Sequence, residues 1–137
     1  MAKILIAASP EPRQLIERML AGHELYCAES MDQAQQSMCK RSYDLIICTL
    51  LFDESKMFDL LRHAKSKPEW RLVPFVCTRV KSHLPWSSIA LKAVEFTCEA
   101  LGAAAFLDID NYPTDTLREM RKAIERFLGA NAIIPVR

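Results

Sequence analysis

Apolar runs of strand character alternate along this chain with stretches of helical periodicity. That alternation predicts an α/β fold: a doubly wound, five-stranded parallel sheet with helices on both faces. The central run, Leu45 to Cys48, is apolar at consecutive positions, the pattern of a strand covered on both sides. Cap and stop residues bracket the helical stretches, and no repeat or low-complexity linker interrupts them.

The elements follow in order. Lys3-Ile4-Leu5-Ile6-Ala7 is the first strand; Ser9 as N-cap and Pro10 at N1 then open a helix. Leu15, Ile16, Met19 and Leu20 form its stripe, and Gly22 is placed to stop it. His23 to Ala28 is a second strand. Ser30-Met31-Asp32-Gln33 reads as a capping box opening a helix to about Lys40, with a thin apolar face of Met31, Ala34 and Met38. After the central strand, residues 51–56 read as a loop, and Met57, Leu60, Leu61 and Ala64 mark a third helix. Residues 65–71 are a polar connection, and Val73 to Thr78 is a fourth strand with Pro74 near its start. Residues 79–87 form a long loop. A fourth helix runs from about Ser88 to Leu101 and stops at Gly102, and Ala104 to Asp108 is the fifth strand. Thr114 is expected to cap a last helix with Leu117, Met120, Ile124 and Phe127 or Leu128 inward. Arg118, Arg121, Lys122 and Glu125 face outward, and Gly129 ends the helix. Right-handed crossovers favour the flavodoxin-like strand order 2-1-3-4-5. Residues 1–128 are expected to form one domain and 129–137 a tail containing Ile133, Ile134 and Val136.

Bulk properties exclude several classes. Half of the 137 residues are hydrophobic and the formal net charge is +1, which argues against disorder and against a nucleic-acid-coating surface. No apolar run approaches the ~20 residues of a membrane span, and Ile4-Leu5-Ile6 is too short for a signal-peptide core, so a cytoplasmic location is expected. Cys27, Cys39, Cys48, Cys77 and Cys98 show no metal or redox spacing and read as small hydrophobes; the three histidines are scattered. Neither a metal nor a cofactor is assigned.

Lys3-Ile4-Leu5-Ile6, Tyr43-Asp44-Leu45-Ile46-Ile47-Cys48, Asp59-Leu60-Leu61-Arg62, Val73-Pro74-Phe75-Val76 and Leu101-Gly102-Ala103 together resemble a response-regulator receiver domain of the chemotaxis type, over nearly the whole chain. The resemblance implies a phosphoryl switch: an acidic pair after the first strand binds magnesium and an aspartate after the third accepts phosphate. A Ser or Thr after the fourth strand and a Lys after the fifth then read the modification. At the acidic pair this sequence has Ala8 and Ser9; at the acceptor, Thr49; at the lysine, Ile109. Thr78 supplies the hydroxyl only with a one-residue shift, and the stretch from Thr78 to Gly102 is long for the family.

Mg²⁺ dehydrates reluctantly and is normally held by carboxylates, which Ala8 and Ser9 lack; a threonine hydroxyl is a poor nucleophile without a base beside it. The expected function is therefore a pseudo-receiver, a phosphorylation-independent interaction module in signalling with no catalytic residue. One alternative is an active receiver with a displaced acceptor such as Asp53. Another is a flavodoxin-like small-molecule binder, disfavoured because Ala7-Ala8-Ser9-Pro10 has no glycine cradle. Asp53, Glu54, Asp108 and Asp110 could rebuild an acidic site at the mouth; the simpler reading is loop carboxylates that cap nearby backbone amides or are simply solvated.

The fourth helix shows a second apolar strip, Ile89, Ala93, Phe96 and Ala100, beside its sheet-facing residues Leu91, Val94, Cys98 and Leu101. Either the preceding loop (His83, Leu84, Pro85, Trp86) folds over the strip, or it is an interface. The interface is expected to combine the fourth helix, fifth strand and last helix, with Phe96 as anchor and Arg118 and Arg121 at the rim. It would bind a signalling protein or a second copy of the chain, as receiver-like domains often do through the corresponding face.

Overall fold

A computed structural model of the chain describes residues 1–83, 85–113 and 116–128. The strands are β1 (Lys3–Ala7), β2 (Glu24–Ala28), β3 (Leu45–Thr49), β4 (Phe75–Arg79) and β5 (Ala105–Asp108). They form one parallel sheet in the order β2-β1-β3-β4-β5, the order the sequence predicts. The long helices are α1 (Pro10–Met19), α2 (Met31–Lys40), α3 (Met57–Ser66), α4 (Ser88–Ala100) and α5 (Leu117–Glu125). A single left-handed turn, Phe52–Ser55, follows β3, and a 3₁₀ turn, Ile109–Asn111, follows β5.

Alternation along each strand divides the core into two layers. Leu5, Ile46, Cys48, Phe75, Cys77 and Phe106 pack beneath α2, α3 and α4 with Met38, Leu60, Leu61, Val94 and Cys98. Ile4, Ile6, Leu45, Ile47, Val76 and Ile109 pack beneath α1 and α5 with Ile16, Met19, Met120 and Ile124. All five residues of β3 and of β4 are buried, which is why their sequences run apolar rather than alternate.

Local signals hold with changes of detail. Ser9 sits at the N-cap of α1, but its side chain makes no capping hydrogen bond. Gly22 has φ +104° and lies just past the end of α1, whose C-cap is Leu20. At α2 the Gln33 amide donates to Ser30 Oγ (3.1 Å); the Gln33 side chain accepts instead from the Glu29 amide (2.8 Å), one residue before the box's usual partner. Trp70, inside the expected polar connection, is buried against the α2–α4 layer. Thr116, not Thr114, caps α5, accepting from the Glu119 amide. Thr114, Leu84, Gly129 and the expected tail lie outside the described residues.

Two placements on α5 differ from expectation. Leu117 is 37 % exposed rather than inward. Arg121 does not stand on an outward rim: its Nε donates to Glu125 (3.0 Å) and its Nη1 to the Ala21 carbonyl (2.5 Å). His23 explains the rotation. Its Nδ1 accepts from the Ala2 amide (3.1 Å), so its Nε2 carries the proton and donates to Glu125 (2.6 Å). Desolvation raises the Glu125 carboxyl pKa, but the hydrogen bonds from His23 and Arg121 outweigh it and leave the group below its ordinary value. Arg121 thus joins α5 to the end of α1, on the side of the sheet opposite α4.

Candidate functional site

Four polar or charged residues are buried among those described: Thr49, Thr78, Arg79 and Ser82. All four stand at the carboxyl ends of β3 and β4 or just beyond, at the mouth where open α/β sheets place their chemistry. Register brings the expected positions together: Ala7 pairs with Cys48, and Thr49 with Thr78. Ala8, Thr49, Thr78 and Ile109 are all buried, while Ser9 is exposed at the start of α1.

By alternation Ala8, Thr49 and Thr78 belong to the α1–α5 side of the sheet, where Ala8 and Ile109 are part of the core itself. Thr78 Oγ1 lies 3.4 Å from the Cys48 carbonyl and donates back to the neighbouring strand. The Leu50 amide donates to the Thr78 carbonyl (2.8 Å), closing the ladder past Thr49. These positions therefore form a largely apolar floor, with the Thr78 hydroxyl turned into the sheet.

The charged group at the mouth is Arg79, which the sequence reading leaves in a loop. It is the last residue of β4 and pairs in register with Asp108. Its Nε donates to Asp108 Oδ1 (2.8 Å) and its Nη2 to Oδ2 (3.3 Å), a bidentate pair. Asn111 Nδ2 donates to the same carboxylate (3.1 Å), and Arg79 Nη1 to Ser82 Oγ (3.3 Å). A buried guanidinium is tolerated only when so paired. The signal available in the sequence was an arginine directly after Phe75-Val76-Cys77-Thr78, with two aspartates closing the next strand.

The loop carboxylates are engaged with backbone. Asp53 Oδ2 accepts from the Met31 amide at the start of α2 (2.8 Å), and Lys56 Nζ donates to the Asp53 carbonyl (3.2 Å). Asp110 accepts from the amides of Lys81 (2.7 Å) and Ser82 (3.1 Å) and from Ser82 Oγ (3.1 Å). Asp53 and Asp110 thus cap backbone amides, whereas Asp108 pairs with the side chains of Arg79 and Asn111. Among the described residues, no group of three or more His, Cys, Asp or Glu side chains is placed to hold a metal ion.

Backbone strain gathers here too. The described non-glycine residues with positive φ are Asp53, Glu54, Ser55, Lys81 and His83, all in the loops after β3 and β4. Each left-handed residue costs roughly 1–2 kcal/mol. The buried thiols are inert. Burial raises the Cys48 pKa well above its ordinary value, and a hydrogen bond with Cys98, together with burial, raises that of Cys77.

The expected strip on α4 is uncovered: Ile89 is 81 % and Phe96 74 % exposed, and Ala93 and Ala100 are exposed beside them. Trp86 packs instead against the α2–α4 layer. Arg118 is exposed, whereas Arg121 is committed to Ala21 and Glu125 and leaves the expected rim. No helix among the described residues is long and apolar enough to cross a membrane.

No family model and no curated protein matches the sequence. Solved structures do. A response regulator from Hahella chejuensis superposes with a TM-score of 0.75 at 19% identity, covering 98% of this chain and 100% of that one. The chemotaxis response regulator CheY4 of Vibrio cholerae gives 0.73 at 21%, over 93% and 99%. The receiver domain of sensor histidine kinase PA1611 from Pseudomonas aeruginosa, with a magnesium ion coordinated in its active site cleft, gives 0.70 at 20%, over 92% and 96%. Strand order, layer composition and these superpositions agree: the chain has the fold of a response-regulator receiver domain.

Proposed function

We propose that this chain is a pseudo-receiver: a non-enzymatic protein–protein interaction module in signal transduction whose output does not depend on aspartyl phosphorylation. The observation that carries the reading is the chemistry of the mouth. Ala8, Ser9, Thr49 and Ile109 stand where a magnesium-dependent phosphoryl switch needs carboxylates and a lysine, and a paired guanidinium, Arg79, is the buried charge nearby. An incoming phosphoryl group meets neither a metal-binding pair nor an available nucleophile. The reading with Asp53 as a displaced acceptor is weaker, because that carboxylate already caps α2.

Output then passes through a surface. The strip Ile89, Ala93, Phe96 and Ala100 is the largest exposed apolar feature of a long helix, and its flank carries Lys92, Glu95 and Glu99. Lys92 and Glu99 lie about two helical turns apart. Antiparallel packing of two copies of α4 about a two-fold axis sets each lysine toward the other copy's glutamate, so the occupant proposed is a second copy of the chain.

Titration calorimetry with Mg²⁺ in the presence of beryllofluoride, a phosphoryl mimic, tests the first claim. No saturable binding is expected. A stoichiometric, magnesium-dependent heat contradicts the pseudo-receiver reading.

A further inference from the structure

We infer that Arg79, Asp108 and Asp110 form a permanent latch that holds the segment after β4 in one conformation without any modification. The inference deepens the proposed function and rests on it only for its signalling meaning.

The latch has two parts. In the first, the bidentate Arg79–Asp108 pair joins the ends of β4 and β5, and Asn111 fixes the outer oxygen of that carboxylate. In the second, Asp110 reaches across from the turn after β5 and accepts from two successive backbone amides, Lys81 and Ser82, and from the Ser82 hydroxyl. Ser82 couples the parts, since its Oγ also accepts from Arg79 Nη1, and Arg79 Nε lies 3.9 Å from Asp110 Oδ2.

The conformation so held is one the chain would not choose alone. Lys81 (φ +53°) and His83 (φ +59°) are both left-handed, and neither is a glycine. Backbone of this kind persists only where surrounding contacts over-determine it. Asp110 supplies them, and His83 adds a contact to Glu11 at the start of α1. The geometry of Lys81 and Ser82 is set by side chains that are always present, and the chain goes on to Ser87, whose hydroxyl caps α4.

The Asp110 side chain is 24 % exposed and lies outside both core layers, so it can be removed without emptying the core. Hydrogen–deuterium exchange resolved to single amides is the test, on the full chain. In Asp110→Ala, the Lys81 and Ser82 amides should exchange about tenfold faster or more, while amides of β1 and β3 keep their wild-type protection. Asp110→Asn retains an acceptor oxygen and should give a smaller rise at the same two amides, which preserves the test if the alanine variant does not fold. Unchanged exchange at Lys81 and Ser82, or an equal loss of protection at every amide, overturns the latch. A phosphate adduct on the wild-type protein would overturn the pseudo-receiver reading and leave the exchange result standing.

Discussion

Thr49 occupies the position on which the chemistry turns, and its surroundings decide what it can do. It is buried, pairs in register with Thr78, and has Ala8 at the neighbouring strand end. Thr49 is expected to serve packing and local hydrogen bonding in the floor of the mouth. Thr49→Val is expected to shift stability by less than about 1 kcal/mol in urea or thermal unfolding. Thr49→Asp is expected not to create magnesium affinity, because one new carboxylate beside Ala8 and Ser9 still leaves the cation without a second anchor. Calorimetry showing tight Mg²⁺ binding by Thr49→Asp alone would contradict this account. Arg79 carries the complementary lesson. Its side chain lies in the buried layer at the cost of desolvation, and two carboxylates and a serine hydroxyl meet that cost.

At the scale of elements, α4 is the exceptional helix. Val94 and Cys98 bury its inner face, while Ile89 and Phe96 stand in solvent on the outer one. Isolated exposed hydrophobics are ordinary; a strip at helical spacing is the feature on which the proposed self-association rests. Phe96→Glu is expected to weaken self-association about thirtyfold or more in sedimentation experiments while the monomer's melting transition stays nearly unchanged. Unfolding, or unaltered assembly, removes the strip from the interface. The helices also show what could be read beforehand. Periodicity in α1, α3 and α4 identified the inward residues because one amphipathic face suffices to orient them. For α5 it failed at Arg121, whose direction is set by Glu125 and, through that carboxylate, by His23, 102 residues away from Glu125 in sequence.

For the molecule as a whole, fold and site were legible to different depths. The strand order followed from apolar runs such as Leu45–Cys48 and from the handedness of crossovers, which depend on local pattern. Thr49 was placed at the mouth by the same logic, whereas Ala8, Ser9 and Ile109 were assigned there by the resemblance to a receiver domain. The latch was not legible, because Asp110 with Lys81 and Asp53 with Met31 join loops from different parts of the chain, and residue spacing does not report such contacts. Its cation was missed because β4 extends one residue beyond Thr78 and carries Arg79 into the sheet. A single picture results: a receiver fold keeps its apolar layers, and the carboxylates near its mouth hold backbone and guanidinium.

The measurement closest to that claim is intact-mass spectrometry of the wild-type protein after incubation with acetyl phosphate and Mg²⁺, quenched rapidly to preserve acyl phosphates. The account predicts the unmodified mass at every time point. A stoichiometric phosphate adduct, on Asp53 or any other residue, would contradict it.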